Sequence, residues 1–279
     1  MYIKCWGSRG STPVSGQNYL KYGGSTTCIE IRTKDDDIII VDAGTGIRRL
    51  GNQLMAEGVS KFNVIFTHAH WDHLMGFPFF KPLYSECMEL RMHRCPFHSK
   101  FVETILSKVM APPNFPVKYS DLKAKITYEP GCPNTFSIGS VSVTPIPLSH
   151  PNGGSGYKFT EDGKSFVFLT DNELGFVHPG GLPKTEYLKF SQDADLLIHD
   201  GEYTPEEYKI KAEWGHSTYT DALDLAIEAG VKKLGLFHIN QERFDPEMDM
   251  IIDDCNRILS KNGRDLSCLA VSEDMAFML

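Results

Sequence analysis

Three imidazoles and one carboxylate fall within six residues, His68-Ala69-His70-Trp71-Asp72-His73, at the end of the apolar run Val64-Ile65-Phe66-Thr67. A strand leaving its sheet at such a point lets alternate side chains converge. Neutral imidazole and carboxylate are the donors that zinc, manganese and iron accept. A polar loop with accidental histidines is the weaker reading, because compactness separates a metal signal from isolated histidines.

Periodicity places strands at Tyr2 to Trp6, Thr27 to Arg32, Asp37 to Asp42 and Val64 to Thr67, then at Glu89 to Met92, Ile126 to Tyr128, Val141 to Leu148 and Ser165 to Thr170. Helices are expected at Ile47 to Met55, Ser99 to Met110, Tyr219 to Ala229 and Pro246 to Ser260. The second half alternates these helices with strands at Leu196 to Ile198, Lys233 to Phe237 and Leu269 to Val271. Antiparallel-looking stretches flanked by helices predict an α/β (α+β) fold with sheets between helical layers. Only Ala111 to Pro116 and Pro151 to Gly156 look like linkers, and both are short. One domain over residues 1–279 is expected.

The formal net charge of -8 argues against non-specific nucleic-acid binding, which draws its energy from Lys and Arg on phosphates. Nucleic acid therefore remains a secondary expectation. Seven cysteines without framework spacing suit free thiols. No 18-residue apolar run exists, and Met1 to Trp6 lacks the shape of a signal peptide, so a cytoplasmic protein with no membrane span is expected.

The run His68 to His73 matches the H-x-H-x-D-H signature of the metallo-β-lactamase superfamily, and the resemblance extends over nearly the whole chain. It implies a four-layer αββα sandwich. It also implies two divalent metal ions, Zn or Mn: one on His68, His70 and His150, the other on Asp72, His73 and His238, bridged by Asp171, with Asp42 supporting the ligands from behind. Such ions about 3.5 to 4 Å apart lower the pKa of a water and neutralise charge on a phosphoryl group.

The segment His199-Asp200-Gly201-Glu202, followed by His216-Ser217-Thr218, is similar to the paired "HEAT" and "HST" elements of the tRNase Z and cyclic nucleotide phosphodiesterase branch. The second element matches intact, whereas the first keeps only its His and an acidic residue. The resemblance implies His216 as general acid and Asp200 as its orienter, beside the catalytic Asp72. Ser217 or Thr218 capping a helix near Tyr219 is the structural alternative, compatible with catalysis.

Twenty residues between His150 and Asp171 leave no room for the long arm with which bacterial tRNase Z enzymes hold tRNA. The leading expectation is hydrolysis of a cyclic nucleotide or related small phosphodiester. A tRNase Z-like endoribonuclease, a thioester or lactone hydrolase and a non-catalytic binding module are the alternatives. Ser8, Arg9 and Thr12, in a Gly-rich turn, are candidate phosphate donors. Residues 74–134 read as a specificity insertion whose aromatics, Phe77 and Tyr84 among them, suggest a homodimer contact. A separate zinc on Cys87, His93, Cys95, His98 and Cys132 is disfavoured by spacing. His178 and His199 read as structural.

Overall fold

The computed structural model describes residues 1–93, 101–129, 134–262 and 265–279. Strands β1 (Tyr2–Gly7), β2 (Cys28–Arg32) and β3 (Ile38–Val41) pair antiparallel. Alternation sorts their side chains: Ile29, Ile31, Ile39 and Val41 enter one apolar core, while Cys28, Ile38 and Ile40 enter another. From β3 the sheet continues in parallel through β4 (Lys61–Ile65), β5 (Glu89–His93) and β6 (Lys125–Tyr128).

The second sheet repeats this plan. Strands β7 (Phe136–Ile138), β8 (Val141–Pro147), β9 (Ser155–Glu161) and β10 (Lys164–Leu169) are antiparallel. Strands β11 (Leu196–Asp200), β12 (Lys233–Phe237) and β13 (Ser267–Ala270) then run parallel to β10. That half corrects the antiparallel expectation for the second half of the chain: its strands are joined by helical crossovers, which parallel pairing requires. Strand β14 (Ala276–Met278) returns to the free edge of β1.

Helices α1 (Ile47–Glu57), α2 (Trp71–Leu74) and α3 (Phe101–Val109) serve the first sheet, where Leu50, Leu54 and Leu106 pack with Phe62, Val64 and Leu90. On the second sheet lie α4 (Lys184–Ser191), α6 (Tyr219–Glu228) and α7 (Asp245–Asn262), with Leu223, Ala226 and Ile251 against Leu197, Leu234 and Leu236. The short α5 (Pro205–Lys211) is fixed by a Thr204/Glu207 capping box. Between the sheets, Ile29, Ile31 and Val41 meet Phe159, Phe166, Phe168 and Ile198. The result is the expected αββα sandwich.

Residues 74–134 are more integral than an appended insertion, because β5 and β6 complete the first sheet. Phe77 is only 1% exposed and stacks on Tyr119, which removes it as a dimer contact; Tyr84 and Phe79 are exposed. Of the disfavoured zinc set, Cys95, His98 and Cys132 lie outside the described residues, as do the first two positions of the helix expected from Ser99. His93 stacks on Phe136, and its Nε2 lies 3.2 Å from Asn63 Oδ1.

Candidate active site

Every sequence-predicted metal ligand lies beyond a strand end, at one end of the sandwich: residues 68–73 after β4, His150 after β8, Asp171 after β10 and His238 after β12. Asp42, Asp171 and His238 adopt left-handed backbone conformations (φ 64°, 56° and 54°). Three non-glycine residues in that region, all buried, mark a place where surrounding structure holds the backbone against its preference.

Beside a third donor group of Glu202, His216 and His238, the predicted ligands form two clusters. His68, His70, His150 and Asp171 form one; Asp72, His73, Asp171 and His238 form the other, the ligand atoms in each lying within 4.8 Å of one another. Asp171 belongs to both: its Oδ2 is 3.4 Å from the Nε2 atoms of His68 and His238, and its Oδ1 is 3.3 Å from His73 Nε2.

The far nitrogens of four rings are already engaged. His73 Nδ1 meets Asp42 at 2.8 Å, His238 Nδ1 meets Glu202 at 2.9 Å, His150 Nδ1 donates to the Gly215 carbonyl at 2.8 Å, and His68 Nδ1 is 3.1 Å from Thr67 Oγ1. Each leaves Nε2 turned toward the clusters, the arrangement by which supporting hydrogen bonds fix a metal-binding tautomer. The Nε2 atoms of His68 and His73 are buried without any hydrogen-bond partner, a costly state that a metal ion relieves. The donor set therefore fits two divalent ions.

Burial, with charge on neighbouring His73, holds His68 well below the ordinary histidine pKa; burial likewise lowers His70, and His150 to about 3. The direction favours the neutral imidazole, the form in which a ligand must be. Burial also opposes charge on His73 and His238, but Asp72, Asp171 and their neighbours outweigh it and raise both. The second cluster is thus a carboxylate-rich pocket that demands positive charge.

His216 sits where the clusters meet. Its ring stacks on His238 (centroids 4.6 Å apart, 17° between planes) and meets His150 at a steep angle 5.2 Å away. Its Nδ1 lies 3.2 Å from Asp200 Oδ2 and 3.5 Å from Glu202 Oε2. Burial alone depresses its pKa; Glu202 and Asp200 outweigh that and raise it to about 9. Asp200 also accepts from the backbone N–H groups of Asn172 and Ser217 at 2.9 Å. Thr218 caps α6 through Asp221 N–H, so this segment combines the cap with the imidazole.

The phosphate-donor expectation fares differently. Arg9 is fully buried: Nε donates to the Gly23 carbonyl at 2.8 Å, and Nη1 to the carbonyls of Arg243 at 2.8 Å and Asn240 at 3.2 Å. Nε and Nη1 clasp the N-terminal loop onto the segment after His238, while Nη2, 3.8 Å from Asp245, has no hydrogen-bond partner but is buried away from any phosphate at the surface. Ser8 is also buried, and Thr12 alone of the three is exposed. The loop instead serves the ligands, since Ser11 N–H donates to Asp72 Oδ2 at 2.9 Å. A Cβ on Gly10 would stand 2.2 Å from His238 Nδ1, and one on Gly215 2.2 Å from His150 Nδ1, so both close approaches require glycine.

Two carboxylates escaped sequence reasoning. Glu202, two residues beyond Asp200, binds His238 and also accepts from Asn240 Nδ2 at 2.7 Å. Glu173 accepts from Tyr208 Oη, His178 Nε2 and the backbone N–H groups of Glu213 and Gly215, all at 2.5–2.8 Å. The spacing of Asp200 and Glu202 at a strand end was the available signal for the first.

A four-layer sandwich with His and Asp gathered beyond its strand ends defines a metallo-β-lactamase-fold hydrolase, and the chain belongs to the β-lactamase superfamily, whose domain (Beta-lactamase superfamily domain) matches residues 38–239. Among curated proteins it is similar to ribonuclease Z from Gemmatimonas aurantiaca, 26% identical over 88% of this chain and 90% of the relative. Among solved structures it resembles the metallo-β-lactamase fold protein YhfI from Bacillus subtilis (TM-score 0.71, 17% identity, 99% of this chain and 98% of that one). It also resembles unliganded yeast PDE1 (TM-score 0.68, 14% identity, 100% and 99%).

Proposed function

We propose that the chain is a metal-dependent phosphodiesterase that hydrolyses a cyclic nucleotide or a related small cyclic phosphodiester. The position of His216 carries this reading: two carboxylates hold Nδ1, rings from both ligand clusters flank it, and Nε2 has no partner among the described residues. An imidazole so oriented can give its proton to a departing alkoxide. His68, His70 and His150 would hold one ion and Asp72, His73 and His238 the other, with Asp171 serving both. When bound, zinc or manganese ions would supply a water of lowered pKa and neutralise charge on the phosphoryl group. Asp42 and Glu202 fix the ligand rings, and Asp200 keeps His216 from rotating.

A tRNase Z-like endoribonuclease is the second reading, favoured by relatives named ribonuclease Z. Against it stands the tight β9–β10 hairpin, where Glu161 pairs with Lys164 across the turn Asp162-Gly163 and no RNA-holding arm emerges. A thioester or lactone offers a carbonyl with a good leaving group and has less use for His216. A hydrolysis screen over cyclic mononucleotides, cyclic dinucleotides, ribose cyclic phosphates and pre-tRNA, with added Zn²⁺ or Mn²⁺, separates these readings. Turnover of a cyclic phosphodiester supports the proposal; cleavage of pre-tRNA alone transfers it to the ribonuclease.

A further inference from the structure

The chemistry derived above makes no use of a cavity of about 310 Å³ that lies against the ligand loop itself. Ala69, Trp71 and Leu74 form one wall, and Ile105 and Lys108 of α3 form the facing one, with Asn114 beside them. The volume is at the lower end for small-molecule sites, enough for one nucleoside and too little for a run of bases.

Its place in the chain ties it to the metal clusters. Ala69 alternates with His68 and His70, and Trp71 stands between His70 and Asp72. His70 is the one half-buried imidazole of the first cluster, the others being 1% exposed, so the cluster opens to solvent beside Trp71. Consecutive Cα atoms are about 3.8 Å apart. Ala69 and Trp71 thus join the cavity wall to the ligand positions through the chain, and the lining itself contains none of the ligands.

The lining also selects a chemistry. Trp71 is 60% exposed although its neighbours Asp72 and His73 are buried, and an open indole is a stacking platform for any nucleobase. Ala69, Leu74 and Ile105 offer only apolar surface, suited to the faces of a flat ring. The Asn114 amide carries both a donor and an acceptor for a base edge. Lys108 is exposed, has no ion pair among the described residues, and brings positive charge to a lining that is otherwise uncharged among those residues.

We propose that this cavity is the nucleobase subsite: the base of a mononucleotide stacks on Trp71 between the ligand loop and α3, and Lys108 answers the phosphate charge. The proposal rests on the phosphodiesterase reading for the identity of the substrate, but it is testable by binding alone. Calorimetry on the zinc-loaded protein compares adenosine 5'-monophosphate with ribose 5-phosphate, which differ by the base. The expected result is at least about tenfold tighter binding of the nucleotide, a ratio that Trp71→Ala reduces to about twofold or less and Trp71→Phe largely restores. Lys108→Ala is expected to weaken both ligands by a similar factor. Since Trp71 adjoins two ligands, Ile105→Trp, which fills the cavity from α3, is the independent variant and must lower the ratio as well. A wild-type ratio near one, or a ratio unchanged in Ile105→Trp with zinc content intact, overturns the subsite. A preserved ratio in a protein that hydrolyses no phosphodiester leaves the subsite standing and refutes the reaction.

Discussion

Asp42 governs a ligand ring in each cluster. Its carboxylate accepts from His73 Nδ1 and from Thr67 Oγ1, both within 2.8 Å, and that hydroxyl in turn faces His68 Nδ1. Asp42→Asn should therefore weaken metal binding at both sites, by roughly 10- to 100-fold, measured by competition with a chromophoric chelator. Gly10→Ala drives a methyl into the His238 ring, so elemental analysis should find close to one ion per chain, against the two proposed for the native protein. These positions were legible through the resemblance carried by His68 to His73, with Asp42, His150, Asp171 and His238 each following an apolar run. Arg9 was misread for the opposite reason. A Gly-rich turn advertises free donors, but the carbonyls that capture this guanidinium lie 14, 231 and 234 residues away in sequence.

Among the elements, the loop carrying His216 depends on a residue from another loop. Glu173 grips the N–H groups of residues 213 and 215, and the Gly215 carbonyl holds His150. Glu173→Gln sets an amide NH₂ against those donors, which should destabilise the fold by about 1–3 kcal/mol in urea unfolding and lower turnover more than substrate affinity. Asp195 ties the starts of three parallel strands, accepting from Ser165 N–H, Lys164 and Lys232. Burial pushes its pKa up, but these donors outweigh it and hold the carboxyl below its usual range. A folded pKa beneath the unfolded value of about 3.9 gives stability that is present above that value and is lost as pH falls through the folded one. Asp195→Asn should thus destabilise by about 1–2 kcal/mol at pH 7 and by less as the pH drops below about 4. Most strands were legible from apolar runs; β9 was not, because Gly153, Gly154 and Gly156 disguised the alternation of Tyr157 and Phe159. Helix α5 buries no residue and so left no apolar stripe to read.

Across the whole molecule, two sheets of like plan bring their strand ends to one end of the sandwich, and residues from β3 to β12 meet there. Among the described residues no helix is long and apolar enough to cross a membrane. The short β9–β10 hairpin and the net charge of -8 leave little to hold a long polyanion. Binding of pre-tRNA at physiological salt should accordingly be no tighter than non-specific, weaker than about 1 μM in a gel-shift titration. The central claim is that His216 protonates the leaving group. Its most direct test is the turnover of His216→Ala on two substrates, a cyclic nucleotide whose ribose alkoxide needs a proton and a nitrophenyl phosphodiester whose phenolate scarcely does. Metal content should stay near the native value, and kcat should fall by roughly 10² to 10⁴ on the cyclic nucleotide but far less on the nitrophenyl ester. Equal losses on both substrates would contradict the general-acid role and return His216 to a structural part beside the metal ligands.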